Sequence, residues 1–158
     1  MSERNNELFK SALGKMQTLC SKSEKSSGDI KEKLKIYTLE EEDKEKIIEL
    51  LKEDKFIDDK RYSGFYCRDK FKFNNWGKTK IRQSLKLKGV DEEIIEDSLS
   101  LINKDEYFNV IVRLLQGKNR LIKDTNIYSR KGKLYRYITS KGFESELLYK
   151  AIEKVLEK

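Results

Sequence analysis

Histidine and proline are both absent from this 158-residue chain, which has only two cysteines and one tryptophan. Without histidine the usual general base is missing, so serine–histidine and cysteine–histidine catalysis and most zinc chemistry are excluded. There is no glycine-rich phosphate loop either. No catalytic residue, metal ligand or cofactor is therefore expected, and the chain is read as a binding protein, not an enzyme. Cys20 and Cys67 are isolated, with no CxxC or metal-ligand spacing, and are read as two free, partly buried thiols instead of a disulfide. No apolar run approaches the roughly 18 residues of a membrane span, and the polar start carries no signal-peptide pattern. A cytoplasmic protein that does not enter a membrane is expected. The missing proline, against an average usage of about 5%, combines with long amphipathic patterns to favour an all-α chain.

What the chain has in abundance is charge. Charged residues make up 40% of it and the net charge is +7, but the two signs are segregated. Residues 60–88 hold ten Lys/Arg against one acid, Asp69, and residues 118–141 hold eight against one, Asp124. The acids concentrate at 40–54 and 91–97. Segregated basic faces suggest a polyanion or an acidic protein surface as partner. The plainer reading is a set of solvated helix faces in a lysine-rich protein.

The stretch 76–90 recurs 53 positions later without a gap: Lys80 falls on Lys133, Ile81 on Leu134, Leu85 on Ile138, Lys88-Gly89 on Lys141-Gly142, and Ile94-Ile95 on Leu147-Leu148. That is an internal repeat. Ile81 and Leu85, four apart, put one apolar stripe on a helix whose other faces carry Lys78, Lys80, Arg82, Lys86 and Lys88. Gly89 supplies the left-handed residue that ends this helix. Asp91 then caps the next, with Val90 and Ile95 placed as a hydrophobic staple, and Phe143 and Leu148 repeat the staple.

In chain order, apolar spacing predicts a first helix over 5–20 and a short second helix carrying Ile30 and Leu34, with Ser26 and Asp29 at capping-box spacing. Thr38 and Glu41 give another capping box, before a helix burying Ile47, Ile48, Leu50 and Leu51. Measured against the middle repeat, this first copy carries four extra residues between its second and third helices and lacks the Lys-Gly stop. Asp58 or Asp59 caps a helix whose Tyr62, Phe65 and Tyr66 face inward and which runs to about Phe73. Phe71, Phe73 and Trp76 interleave with Lys70, Lys72 and Lys78. Trp76 beside Gly77 is expected to pack between helices, with a stacking platform for single-stranded nucleic acid as the alternative. The third copy begins near Asp105, and its eight additional residues are placed in a loop over 117–129 that holds Lys118, Arg120 and Lys123 as a mobile contact element. A final helix starts near Ser145. The expected organisation is three tandem three-helix, helix-turn-helix-like repeats, 1–56, 57–103 and 104–158, forming an elongated, curved molecule.

The run Phe56-Ile57-Asp58-Asp59-Lys60-Arg61-Tyr62, followed by Trp76-Gly77-Lys78-Thr79-Lys80-Ile81-Arg82-Gln83-Ser84-Leu85 and Lys88-Gly89-Val90, resembles the RecX family of bacterial recombination regulators. The likeness covers nearly the whole chain. It implies a small cytoplasmic protein that binds the RecA recombinase filament on DNA, lodges in its groove and inhibits strand exchange and ATP hydrolysis. The candidate contacts to that filament, or to single- or double-stranded DNA, are Arg61, Arg68, Lys70, Lys72, Lys78, Lys80, Arg82, Lys86, Lys88, Arg113, Lys118, Arg120, Lys133 and Arg136. The protein is expected to act as a monomer. Two other readings stand beside this one: a free-standing helical-repeat protein that binds nucleic acid directly, and a carboxylate-dependent nuclease built from Asp58, Asp59 and Glu93. Adjacent Asp58 and Asp59 point about 100° apart on a helix and converge poorly on one metal, which counts against the nuclease.

Overall fold

The computed structural model describes residues 3–157. Among them nine α-helices follow one another without a strand: α1 (Glu3–Lys22), α2 (Ser27–Lys33), α3 (Glu41–Glu53), α4 (Asp59–Lys72), α5 (Lys78–Leu87), α6 (Glu92–Ser100), α7 (Lys104–Leu121), α8 (Ile127–Ser140) and α9 (Ser145–Leu156), with a 3-10 turn, Leu34–Ile36, after α2. The all-α expectation is met. No helix among the described residues is long and apolar enough to cross a membrane. The chain divides into two compact units, one reaching Phe65 and including Leu85–Ile95, the other made of Tyr66–Ser84 and the residues from Glu96 onward.

In the first unit Ala12 and Met16 of α1, Ile30 of α2, Leu34, Leu39, Ile47 and Leu51 of α3, and Ile57 form one buried cluster. Each large aliphatic side chain buried this way contributes roughly 1.5–3 kcal/mol. The capping box at α2 is present in both halves: the Asp29 N–H donates to Ser26 Oγ at 3.0 Å, and the Ser26 N–H to the Asp29 carboxylate at 3.1 Å. Thr38 does not cap α3. The N-cap position is Glu40, which makes no side-chain cap bond. Glu41, Glu42 and Asp43 fill the first turn instead, where their charge favours the positive end of the helix dipole. The four extra residues of this copy lie here too, since α3 has 13 residues against 9 in α6. They lengthen the third helix and leave the connection before it unextended. Where the other copies stop on Lys-Gly, this one closes with the 3-10 turn, the Tyr37 N–H donating to the Leu34 carbonyl.

In the second unit α7, α8 and α9 pack pairwise. Tyr107, Ile111, Val112 and Leu115 meet Leu134 and Ile138 of α8 and Leu148, Ala151 and Ile152 of α9 as the buried faces. Asn103 and Asn126 cap α7 and α8, accepting the Glu106 and Ser129 N–H groups. Along α4 the buried positions are Tyr62, Ser63, Cys67 and Phe71, whereas Phe65 is 45% exposed. Phe65 was expected inside. The stripe of 62, 63, 67 and 71 turns position 65 to the opposite side of the helix. Phe73 falls just past the last helical residue and is exposed. Both cysteines are free thiols; Cys67 is buried, and burial pushes the thiol of half-buried Cys20 up.

The expected long loop over 117–129 is also replaced by helix. α7 has 18 residues against 14 in α4, and α8 has 14 against 10 in α5, while the α7–α8 connection is confined to residues 122–126. Lys118 and Arg120 therefore ride on the last turn of α7. A whole added turn returns the chain to nearly the same face at about 3.6 residues per turn, so the apolar stripes stay in register on both sides of the insertion.

Candidate functional site

Two backbone junctions organise the basic segment, one in each unit. In the second unit the start of α5 meets the turn after α8: the Gly77 N–H donates to the Lys141 carbonyl at 2.7 Å and the Thr79 N–H to the Gly142 carbonyl at 3.0 Å. A Cβ on Gly77 would stand 2.3 Å from the Gly142 carbonyl carbon. Gly142 has φ +93° and Lys80 packed against it, so it must be glycine on both counts. The Lys78 N–H donates to the Tyr107 hydroxyl at 2.9 Å, and that hydroxyl donates to the Glu144 carboxylate. Tyr107 is buried between the rings of Phe71 and Phe143, at centroid distances of 5.6 and 5.2 Å. Burial, and after it the bond to Glu144, raises its phenol far above the ordinary range.

The first unit repeats the arrangement between the start of α2 and the turn after α5. The Ser26 hydroxyl donates to the Lys88 carbonyl at 3.0 Å. A Cβ on Gly28 would lie 1.9 Å from that carbonyl oxygen, and Gly89 has φ +79°. The Asp59 carboxylate accepts the Ser27 N–H at 2.9 Å and the Ser27 hydroxyl at 2.7 Å. Asp58 is the cap of α4, accepting the Arg61 N–H at 3.0 Å.

The candidate cations have unequal freedom. Lys70 and Lys80 hold their ammonium groups 4.8 and 4.7 Å from the centroid of half-buried Trp76, whose ring stands edge-on to Tyr66. Such cation–π contacts give each ammonium a fixed address at the surface. A base seeking to stack on Trp76 would have to displace them. Lys78 lies 5.0 Å over Tyr107, and Arg68 and Lys72 are exposed. Arg82 makes a bidentate pair with Glu96 at 2.7 and 3.0 Å, and that hydrogen bond raises the guanidinium pKa. In the first unit Arg61 pairs with Glu24 at 2.7 Å, Lys86 with Glu92 at 3.7 Å and Lys88 with Asp29 at 3.4 Å. Arg113 donates to Asn75, Lys133 pairs with Asp124 at 3.5 Å, and Arg120 and Arg136 are exposed. Ion pairs thus offset part of the charge that the sequence concentrates at 60–88. The sequence reading missed Tyr107, Glu144 and the bond from Asp59 to Ser27. Tyr107 stands 45 positions after Tyr62, at the equivalent place in the third copy, and this was the available signal for the first, whereas Asp59 is indistinguishable from a cap until the fold brings Ser27 to it. Among the described residues no three Cys, Asp or Glu converge on a metal-sized site.

A family model described as RecX, second three-helix domain, matches residues 58–99. The chain is 36% identical over 137 residues to the regulatory protein RecX of Clostridium beijerinckii, covering 85% of this chain and 63% of that one. It is 35% identical over 134 residues to that of Clostridium botulinum strain Alaska E43, covering 84% and 62%. It spans a little under two thirds of the length of these relatives. Among solved structures, RecX from Lactobacillus salivarius aligns with a TM-score of 0.84 at 22% identity, over 95% of this chain and 97% of that one. A second crystal structure, of regulatory protein RecX, aligns with a TM-score of 0.86 at 26% identity, over 98% and 78%. The matched stretch 58–99 contains Gly77 and Lys88-Gly89, pieces of both junctions, and the identity runs on through most of the sequence: the chain belongs to the RecX family.

Proposed function

We propose that the protein is a regulatory binding protein, without catalysis of its own, that engages the RecA recombinase filament on DNA and inhibits its recombinase and ATPase activities. The observation that carries this reading is the cluster of Lys70 and Lys80 held around Trp76 beside a buried Ile81, a basic feature within the stretch that the family model matches. Family membership supplies the partner, and the basic face supplies a means of following a polyanion-bearing surface. In this reading the repeats run 1–56, 57–103 and 104–158, and the molecule works as a cytoplasmic monomer.

The test is a pull-down with recombinase, with and without DNA and nucleotide, on the parent and on Lys70→Glu/Lys80→Glu. The parent should bind assembled filament and slow its ATP hydrolysis well below one molecule per recombinase subunit. The double variant gives up two cation–π contacts to Trp76, worth roughly 0.5–1 kcal/mol each, so it should stay folded with a slightly lowered melting temperature, and should lose filament binding. Binding to bare DNA as tight as to filament would favour the alternative, a helical-repeat protein acting on nucleic acid directly.

A further inference from the structure

The added turns of α7 and α8 build something that the middle copy has no residues to build. They bring Lys118 and Leu121, from the extra turn of α7, against Lys133, Arg136 and Tyr137 of α8, with Lys123 from the connection between them, around an open pocket of about 540 Å³. Four of the lining side chains are cations and none is an acid. The volume lies within the range of small-ligand sites.

The extra turn of α8 also supplies Arg130, which ties the end of α7 to the α7–α8 connection beside this pocket. Its guanidinium donates to the carbonyls of Asn119, Ile122 and Asp124, at 2.9, 2.9 and 2.7 Å, and to the Asn119 side chain. Carbonyls at the C-terminal end of α7 would repel an anion. Arg130 occupies them and sets a positive charge at that helix end. The one nearby carboxylate, Asp124, is taken up by the Ser129 hydroxyl, the Asn126 N–H and Lys133; the first two bonds hold it below the usual carboxylate range. Lys118 is steadied over the Tyr137 ring at 5.3 Å. Among the described residues neither Lys123 nor Arg136 makes an ion pair.

We propose that this pocket is a binding site for a phosphate cluster, of the kind carried by a nucleoside triphosphate or by the 5′-phosphorylated end of a nucleic-acid strand. Single carboxylates on a protein surface are spread apart, whereas linked phosphates concentrate several negative charges in one concavity and match a lining of four cations, of which Lys133 alone is paired with a carboxylate. Guanidinium and ammonium groups together offer both forked and point-charge hydrogen bonds to phosphate oxygens.

The test is calorimetric titration of the full chain with ATP in the absence of divalent metal, and competition by oligothymidylate with and without a 5′-phosphate. The parent should show saturable one-site binding. Lys123→Gln/Arg136→Gln should weaken it about ten-fold for each cation removed, with an unchanged melting temperature, while Lys70→Gln/Lys80→Gln leaves it unaltered. Competition by the phosphorylated strand alone assigns the strand end as the source, and competition by neither strand assigns the free nucleotide. Absence of saturable binding, or equal weakening by both double variants, overturns the proposal. So does a Lys123→Gln/Arg136→Gln variant that loses filament binding while the parent binds no phosphate, since the pocket is then a protein contact. Filament binding by the parent is read separately, so failure here leaves the regulatory reading standing.

Discussion

The two junctions join the same backbone pieces and finish them with different chemistry. In each unit a helix start, Gly77 or Ser26 to Gly28, lies against the carbonyls of a Lys-Gly stop so closely that no side chain fits between. The N–H at the first residue of the helix, which has no partner within its own helix, is then satisfied from a neighbouring helix. In the second unit the acceptor is the buried, neutral Tyr107 hydroxyl, and in the first it is the half-buried carboxylate of Asp59. Backbone approach is therefore the constant part of the repeat. The side chain that completes the hydrogen bonding is replaceable, because an orphaned N–H needs an acceptor of any kind within reach.

Breaking the constant part should have the largest effect and should be equal in the two units. Gly28→Ala and Gly77→Ala each force a Cβ to within 2.3 Å or less of backbone, which must shift. Each should lose roughly 3 kcal/mol by urea unfolding, at the upper end of ordinary overpacking costs. Gly14→Ala is the control. It has nothing within 4 Å, lies inside α1, and should gain about 0.5–1 kcal/mol. Losses under about 1 kcal/mol at either junction would mean that the close approach is not a fixed element of the fold.

The replaceable part should separate the units. Tyr107→Phe strands the partly buried Lys78 N–H and Glu144 carboxylate and should cost about 1–3 kcal/mol. Asp59→Asn keeps an acceptor for Ser27 and should cost under about 1 kcal/mol. Only the second difference should shrink in high salt, since it is electrostatic and partly solvated. Equal costs, or equal salt sensitivity, would erase the distinction.

Much of this architecture was legible because its signals are local. The Ser26–Asp29 capping box, the positive-φ glycines at 89 and 142 and the stripe of Ile81 and Leu85 each depend on neighbours within a few residues. The insertions were misplaced for a physical reason. Extra residues in an alignment are most simply assigned to loops, yet α3, α7 and α8 each absorb four as a helical turn, which preserves the apolar face. The site was less legible than the fold. Lys70, Lys80 and Arg82 look alike in sequence, but Trp76 holds the first two and Glu96 the third. Arg130 lay inside a basic run as one cation among eight, and only the returning chain shows that it is spent on carbonyls.

The smallest expected effect sharpens the comparison through pH. Lys88 belongs to the first junction alone, and its ammonium pairs with Asp29 at 3.4 Å. Burial by itself would lower its pKa, but Tyr62 and Asp29 outweigh burial and the folded value is raised. An unfolded lysine titrates near 10.4. The stabilisation from Lys88 is therefore fully present below about pH 10.4 and is lost as pH rises through the higher folded value. A third of the side chain is exposed, so solvent screening limits the contribution to about 0.5 kcal/mol. Tyr107 lowers stability over the same alkaline window, because its phenol stays protonated when folded and ionises near pH 10 when unfolded. Comparing the parent with Lys88→Met cancels that contribution, which both proteins share. The difference in melting temperature should be small and constant from pH 7 to about 10 and should close above it. A difference that persists unchanged at pH 11.5 would show that Lys88 supports the junction through its packed methylene stem and not its charge.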